Sequence, residues 1–118
     1  MSKETQIKRI KIQNFKGLKA FEGEVLGKNI LIIDDEINTA GTLMGVVDIL
    51  KKEKARNIYF VSTHAVLSGP AITRLAGSRI RQIVLTDTIA LPHEKRINKM
   101  TILSVVPLFA AAIKKWSR

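Results

Sequence analysis

The sequence predicts an α/β fold: a mostly parallel sheet in a three-layer arrangement with flanking helices. Three observations lead there. Short, wholly apolar runs of strand length recur along the chain, as in strands covered on both faces. Between them, apolar residues return at helical spacing, and strands alternating with helices imply parallel pairing through right-handed crossovers. Finally, one apolar run is followed at once by two aspartates and a turn of small residues, the arrangement found where parallel strands deliver chemistry at their carboxyl ends.

Taken in order, residues 7–12 and 21–25 each hold enough apolar residues for a strand, with Gly27 and Lys28 as a turn. Residues 29–33 (NILII) form the first clear buried strand, and the turn is predicted over residues 34–42. A helix follows, with Leu43, Val46, Val47 and Leu50 on one face and Asp48, Lys51 and Lys52 on the other. The lysines lie near its end, where cations suit the helix dipole. Residues 58–61 (IYFV) make the second strand. Ser68-Gly69-Pro70 then reads as a helix start, with serine as cap and proline in the first turn. Residues 83–85 and 101–103 make two further strands, and Val106, Phe109, Ala110 and Ile113 place an apolar stripe on a closing helix. No composition break divides the 118 residues, so one domain over residues 1–118 is expected.

Composition narrows the function classes. The chain has no cysteine, which excludes disulfides and thiolate metal sites. Its amino terminus is charged and unlike a secretory signal. The longest apolar stretch, residues 101–113, is broken by Pro107 and is too short to span a bilayer. The expected location is therefore cytoplasmic, with no membrane association. The net charge of +10 suits either polyanions or small anionic substrates. The basic residues are dispersed and not interleaved with aromatic ones, which points away from nucleic acid.

The segment NILIIDDEINTAGT, residues 29–42, carries the chemistry. The first N–H groups of a helix are unpaired and partly positive, so they suit a phosphate. Gly41 removes a side chain that would block close approach of an anion, and Thr39 and Thr42 add hydroxyl donors. Asp34 and Asp35, just before that turn, can accept hydrogen bonds from sugar hydroxyls or hold a hydrated magnesium ion. A helix cap alone does not call for two consecutive acids behind an apolar strand.

These residues, DDEINTAGT, resemble the phosphoribosyl pyrophosphate (PRPP) loop of the type I phosphoribosyltransferase fold. STHAVLSGPAITRL (62–75) and VLTDTIAL (84–91) narrow the resemblance to the ribose-phosphate pyrophosphokinases. GEVLGKN (23–29) and ILSVVPLFAAAIKK (102–115) fit the same family. The resemblance runs from about Lys8 onward and corresponds to the family's carboxyl-terminal half. It implies a phosphoribosyltransferase-like fold and transfer of pyrophosphate from ATP to the anomeric hydroxyl of ribose 5-phosphate, with Mg2+ as cofactor. By resemblance, Asn38, Thr39, Ala40, Gly41 and Thr42 grip the phosphate of ribose 5-phosphate or PRPP. Asp34 takes the ribose hydroxyls, and Asp35 supports the ribose and metal environment. Asp34 and Asp35 would meet the metal through water. Lys8 falls at the family's catalytic-loop lysine, with Arg9 beside it.

The chain departs from the family's pattern in three places. Ile10 stands where the family repeats a basic residue after its lysine, and Asn38 stands where the loop commonly has an aspartate. The family's amino-terminal domain, with its nucleotide contacts and metal-binding histidine, has no counterpart in these residues. ATP is thus expected as a ligand only where that half is supplied, and the chain is expected to be inactive in isolation. A homo-oligomer, or association with a full-length synthetase, is the expected assembly. A non-catalytic module that binds phosphoribosyl ligands is the rival reading. The SGP and TDTI segments argue against a base-transferring phosphoribosyltransferase. His64, alone among metal-type residues, reads as structural or pocket-lining. His93 reads as surface and Asp87 as a cap.

Overall fold

The computed structural model describes residues 10–13, 20–23 and 25–117. Two short strands, β1 (Ile10–Gln13) and β2 (Ala20–Gly23), pair antiparallel with Ile10 opposite Gly23. Ile7, which the sequence groups with the first strand, lies outside the described residues. The chain then turns where expected. Gly27 takes φ 69°, a left-handed value that glycine adopts without penalty, and the Lys28 N–H donates to the Val25 carbonyl at 2.9 Å.

The main sheet has four parallel strands in the order β3 (Asn29–Ile37), β4 (Asn57–Ala65), β5 (Ile80–Thr86) and β6 (Met100–Leu103). The expected α/β class and parallel pairing are thereby borne out. Strands neighbouring in sequence are also neighbours in space, and right-handed crossovers then place successive helices on the same face. Helix α1 (Gly41–Lys52) joins β3 to β4, and α2 (Ala71–Ala76) joins β4 to β5.

The core forms between that face and those helices. Ile30 and Ile32 on β3 lie opposite Ile58 and Phe60 on β4, and Phe60 lies opposite Ile83 on β5. These side chains meet Leu43, Val46, Val47 and Leu50 of α1 and Ala71 and Leu75 of α2, all buried. The alternation along each strand follows from the pleat, which sends successive side chains to opposite faces. The other face carries Leu31, Tyr59, Val61 and Val84, half-buried, with Ile33 71 % exposed and Leu103 54 % exposed. A third layer would cover that surface.

Four differences from the sequence reading have physical causes. Strand β3 does not end at Ile33 but runs through both aspartates to Ile37. The buried Ile37 pairs with Ala65, and Glu36 pairs with His64, so pairing outlasts the apolar run. Strands β4 and β5 likewise exceed their apolar centres, with Ile80 and Ala65 buried at their ends.

Ser68 does not cap α2. Pro70 occupies the cap position without a side-chain bond, and the Ser68 hydroxyl donates instead to the Asn38 side-chain oxygen. Helix α3 (Val106–Trp116) forms as expected, but none of its residues is buried; Phe109 and Ile113 are more than half exposed. Val105, the residue at its cap position, makes no side-chain cap bond. Asp87 acts just ahead of the first turn, its Oδ1 accepting the Val105 N–H at 2.8 Å. That bond, with help from Ser104, holds the Asp87 carboxyl below the ordinary carboxylate range.

Candidate functional site

The carboxyl end of β3 and the start of α1 enclose an open cavity of about 580 Å³, lined by residues 33–43 and Phe60. Every residue that the sequence assigns to the sugar-phosphate site, from Asp34 and Asp35 to Asn38, Thr39, Ala40, Gly41 and Thr42, lines this cavity. Lys8 and Arg9, the expected catalytic pair, lie outside the described residues.

The loop between strand and helix is tied on one side to the segment after β4. The Ile37 carbonyl accepts the N–H groups of Val66 and Leu67, each at 3.0 Å, and the Asn38 carbonyl accepts that of Ser68 at 3.0 Å. The Thr39 carbonyl accepts Nη1 of Arg74 at 2.9 Å. Ala40, buried at the start of α1, adopts φ 67° and ψ 10°, a left-handed conformation costly for a residue with a Cβ. Gly41 follows in helical conformation. A left-handed residue next to a right-handed one turns adjacent N–H groups toward a shared concavity suited to an anion. Such strain clusters at ligand clamps.

Gly41 serves a purpose beyond the one read from the sequence. A Cβ there would stand 3.2 Å from Nη1 of Arg74 and 3.7 Å from the Thr39 hydroxyl. The missing side chain therefore leaves room for the guanidinium that holds the loop, as well as for a ligand.

The carboxylates are not equivalent. The Asp35 N–H donates to Asp34 Oδ1 and the Glu36 N–H donates to Asp35 Oδ1, both at 2.8 Å. Burial raises the Asp34 pKa above the ordinary carboxylate value, and the neighbouring Asp35 and Glu36 charges add to the rise. Asp35 is shifted the other way, first by its hydrogen bond with the Asp34 carboxyl and then by the Glu36 N–H. The first proton taken up by the pair thus goes to Asp34, and Asp35 stays anionic. Among the described residues no group of three or more His, Cys, Asp or Glu side chains could by itself cage a metal ion. Two adjacent carboxylates fit magnesium, which takes one or two protein carboxylates and keeps much of its water.

Two participants escape a sequence reading. Glu36 also lines the cavity; it looks like a turn residue until β3 is seen to pass through it. Arg74 lies 35 positions beyond Thr39, and only the fold of α2 brings it to the loop. His64 sits at the end of β4, where its Nδ1 and the Thr88 hydroxyl are 2.8 Å apart. It belongs to a hydroxyl cluster beside the site and does not line the cavity.

The fold is thus of the parallel α/β class, with paired acids and an anion-suited turn brought together around one cavity near the carboxyl end of β3. The sequence comparisons agree. Residues 2–117 match the model of the phosphoribosyl synthetase-associated domain, and the chain belongs to that family. It is 53% identical over 91 residues to a ribose-phosphate pyrophosphokinase of Caldanaerobacter subterraneus subsp. tengcongensis, covering 77% of this chain and 29% of that protein. It is 47% identical over 92 residues to the Bifidobacterium longum ribose-phosphate pyrophosphokinase, covering 78% of this chain and 27% of that protein. The phosphoribosylpyrophosphate synthetase structure from Mycobacterium smegmatis superposes with a TM-score of 0.80 at 38% identity, over 81% of this chain and 32% of that one. The matched region thus spans under a third of each of these relatives.

Proposed function

We propose that this chain provides the ribose-5-phosphate site of a ribose-phosphate pyrophosphokinase. In that reaction the anomeric hydroxyl of ribose 5-phosphate attacks the β-phosphorus of ATP. The bond from that phosphorus to the α-phosphate oxygen breaks, the hydroxyl loses its proton, and PRPP and AMP leave. The observation that carries the reading is that the N–H-bearing loop, residues 38–42, and the acids Asp34 and Asp35 line the same cavity.

The loop holds the 5-phosphate through backbone N–H groups and the Thr39 and Thr42 hydroxyls. Asp34 accepts hydrogen bonds from the ribose hydroxyls and so orients the anomeric oxygen, which lowers the entropic barrier to attack. Asp35, kept anionic, would help to hold the metal through its water. Mg2+ would be held by water between these carboxylates and substrate oxygens, and would offset the charge that develops on the phosphates. Lys8, with Arg9, supplies positive charge to the transferred group in this reading. ATP is held by residues outside these 118, and the working enzyme is an oligomer in the cytoplasm.

The rival is a phosphoribosyl-binding module that associates with a complete synthetase without catalysing transfer. AMP release, measured with ribose 5-phosphate, ATP and magnesium, separates the two. The proposal expects turnover when a nucleotide-binding half is added to the chain. Binding of ribose 5-phosphate with no gain in turnover under any such addition favours the module.

A further inference from the structure

Three successive loop carbonyls, those of Ile37, Asn38 and Thr39, point to one neighbour, the segment of residues 66–74. The peptide bonds here are trans, and in a trans peptide the N–H points opposite to the C=O. Fixing those three oxygens therefore turns the N–H groups of Asn38, Thr39 and Ala40 the other way. No residue of the 66–74 segment lines the cavity, whereas Asn38, Thr39 and Ala40 do, so the cavity is on the side to which the N–H groups turn. Among the described residues, none of these three N–H groups has an acceptor.

The three ties differ in kind. Those to Ile37 and Asn38 come from backbone N–H groups, which almost any sequence would supply. The tie to Thr39 comes from a side chain, Nη1 of Arg74 at 2.9 Å. It acts on the peptide that leads into Ala40, the residue held at φ 67°. That peptide has the strongest tendency to turn over, because release would relieve the left-handed conformation. A turned peptide would aim the Thr39 carbonyl oxygen at a bound phosphate in place of the Ala40 N–H.

We propose that Arg74 is the positioning residue of the phosphate loop: from behind, it fixes the Thr39–Ala40 peptide so that the loop presents N–H groups to the ligand. The proposal rests on the reading of residues 38–42 as a sugar-phosphate site. Arg74 acts through the loop and not on the ligand, since its Nη1 donates to the Thr39 carbonyl and its side chain is no part of the cavity lining. The empty space at Gly41 accommodates its guanidinium.

The test compares the full chain with Arg74→Met and Arg74→Lys, using ribose 5-phosphate and inorganic phosphate as probes. Affinity is read by calorimetry, and the backbone amides are read by NMR in the ligand-free and bound states. Arg74→Met should bind both probes roughly tenfold more weakly or worse, the scale of a lost hydrogen bond from a charged donor. Its ligand-free amide resonances at Thr39, Ala40 and Gly41 should move, while the melting temperature stays within a few degrees. Arg74→Lys, which still carries a charged donor for the Thr39 carbonyl, should recover most of the affinity. Binding by Arg74→Met within twofold of the parent overturns the proposal, and so do unmoved resonances at Thr39 and Ala40. If the parent binds neither probe, the sugar-phosphate reading fails, and the ligand-free resonances alone still decide whether Arg74 sets the loop.

Discussion

Replacing Gly41 by valine tests whether space at the loop matters to phosphate binding. A Cβ at this position would lie 3.2 Å from Nη1 and 3.9 Å from Cζ of Arg74. The first distance is already tighter than ordinary contact. Valine adds two methyl groups about 1.5 Å beyond that Cβ, so the guanidinium has to leave the Thr39 carbonyl. Losing a hydrogen bond from a charged donor costs about 1.5–3 kcal/mol, which corresponds to roughly 10- to 140-fold in affinity. The helix itself does not suffer, because valine is a better helix former than glycine by a few tenths of a kcal/mol. Gly45, one turn further along α1, is the control: a Cβ there meets nothing within 4 Å. Gly45→Ala should stabilise the protein by about 0.5–1 kcal/mol and leave binding unchanged. Calorimetric titration with ribose 5-phosphate and thermal melts of both variants give the comparison. A Gly41→Val protein that binds as tightly as the parent would refute the argument from space at the loop.

Further outcomes follow from the same structure. Because the Asp34 pKa is raised in the folded state, the folded chain takes up that proton more readily than the unfolded one, so the Asp34 charge costs stability above its folded pKa. Without metal, Asp34→Asn should raise the melting temperature at neutral pH, with the gain vanishing as pH falls through the raised Asp34 value; an equal gain at all pH values would contradict this. The isolated 118-residue chain should release no AMP at a useful rate from ATP, magnesium and ribose 5-phosphate, and robust turnover would mean that a second copy holds the nucleotide. The apolar stripe of α3, with Phe109 57% and Ile113 67% exposed, should drive self-association. This association should strengthen with salt as the net charge of +10 is screened. Ile113→Lys should weaken it in sedimentation velocity without a loss of folding stability, and a monomeric parent at high salt would rule the surface out.

Much of the fold was legible because its signals are local. The apolar runs at residues 29–33 and 58–61 mark strands, and Leu43, Val46, Val47 and Leu50 mark a helix face, since burial and periodicity act within a few residues. The residues that line the cavity were legible for the same reason, as acids and small residues contiguous in sequence. Non-local features were not. The extension of β3 to Ile37 depends on pairing with β4. Ser68 looks like a cap until the fold brings Asn38 to its hydroxyl. Arg74 reads as one more solvated base until α2 places it behind Thr39. The left-handed conformation falls on Ala40 and not on the adjacent glycine, because the ties from residues 66–74 dictate the backbone there and override residue preference. The apolar stripe of α3 predicted a packed helix, but periodicity cannot say whether the surface that covers a stripe belongs to the same chain.

The central claim is that residues 34–42 bind the sugar and phosphate of ribose 5-phosphate together. Titration of the isotope-labelled chain with ribose 5-phosphate, followed amide by amide in NMR spectra, tests it most directly. The account predicts saturable shifts concentrated at Asp34, Asp35 and residues 38–42. Inorganic phosphate should reproduce the shifts at residues 38–42 but not those at the aspartates. Absence of saturable binding, or saturable shifts centred away from this loop, would contradict it.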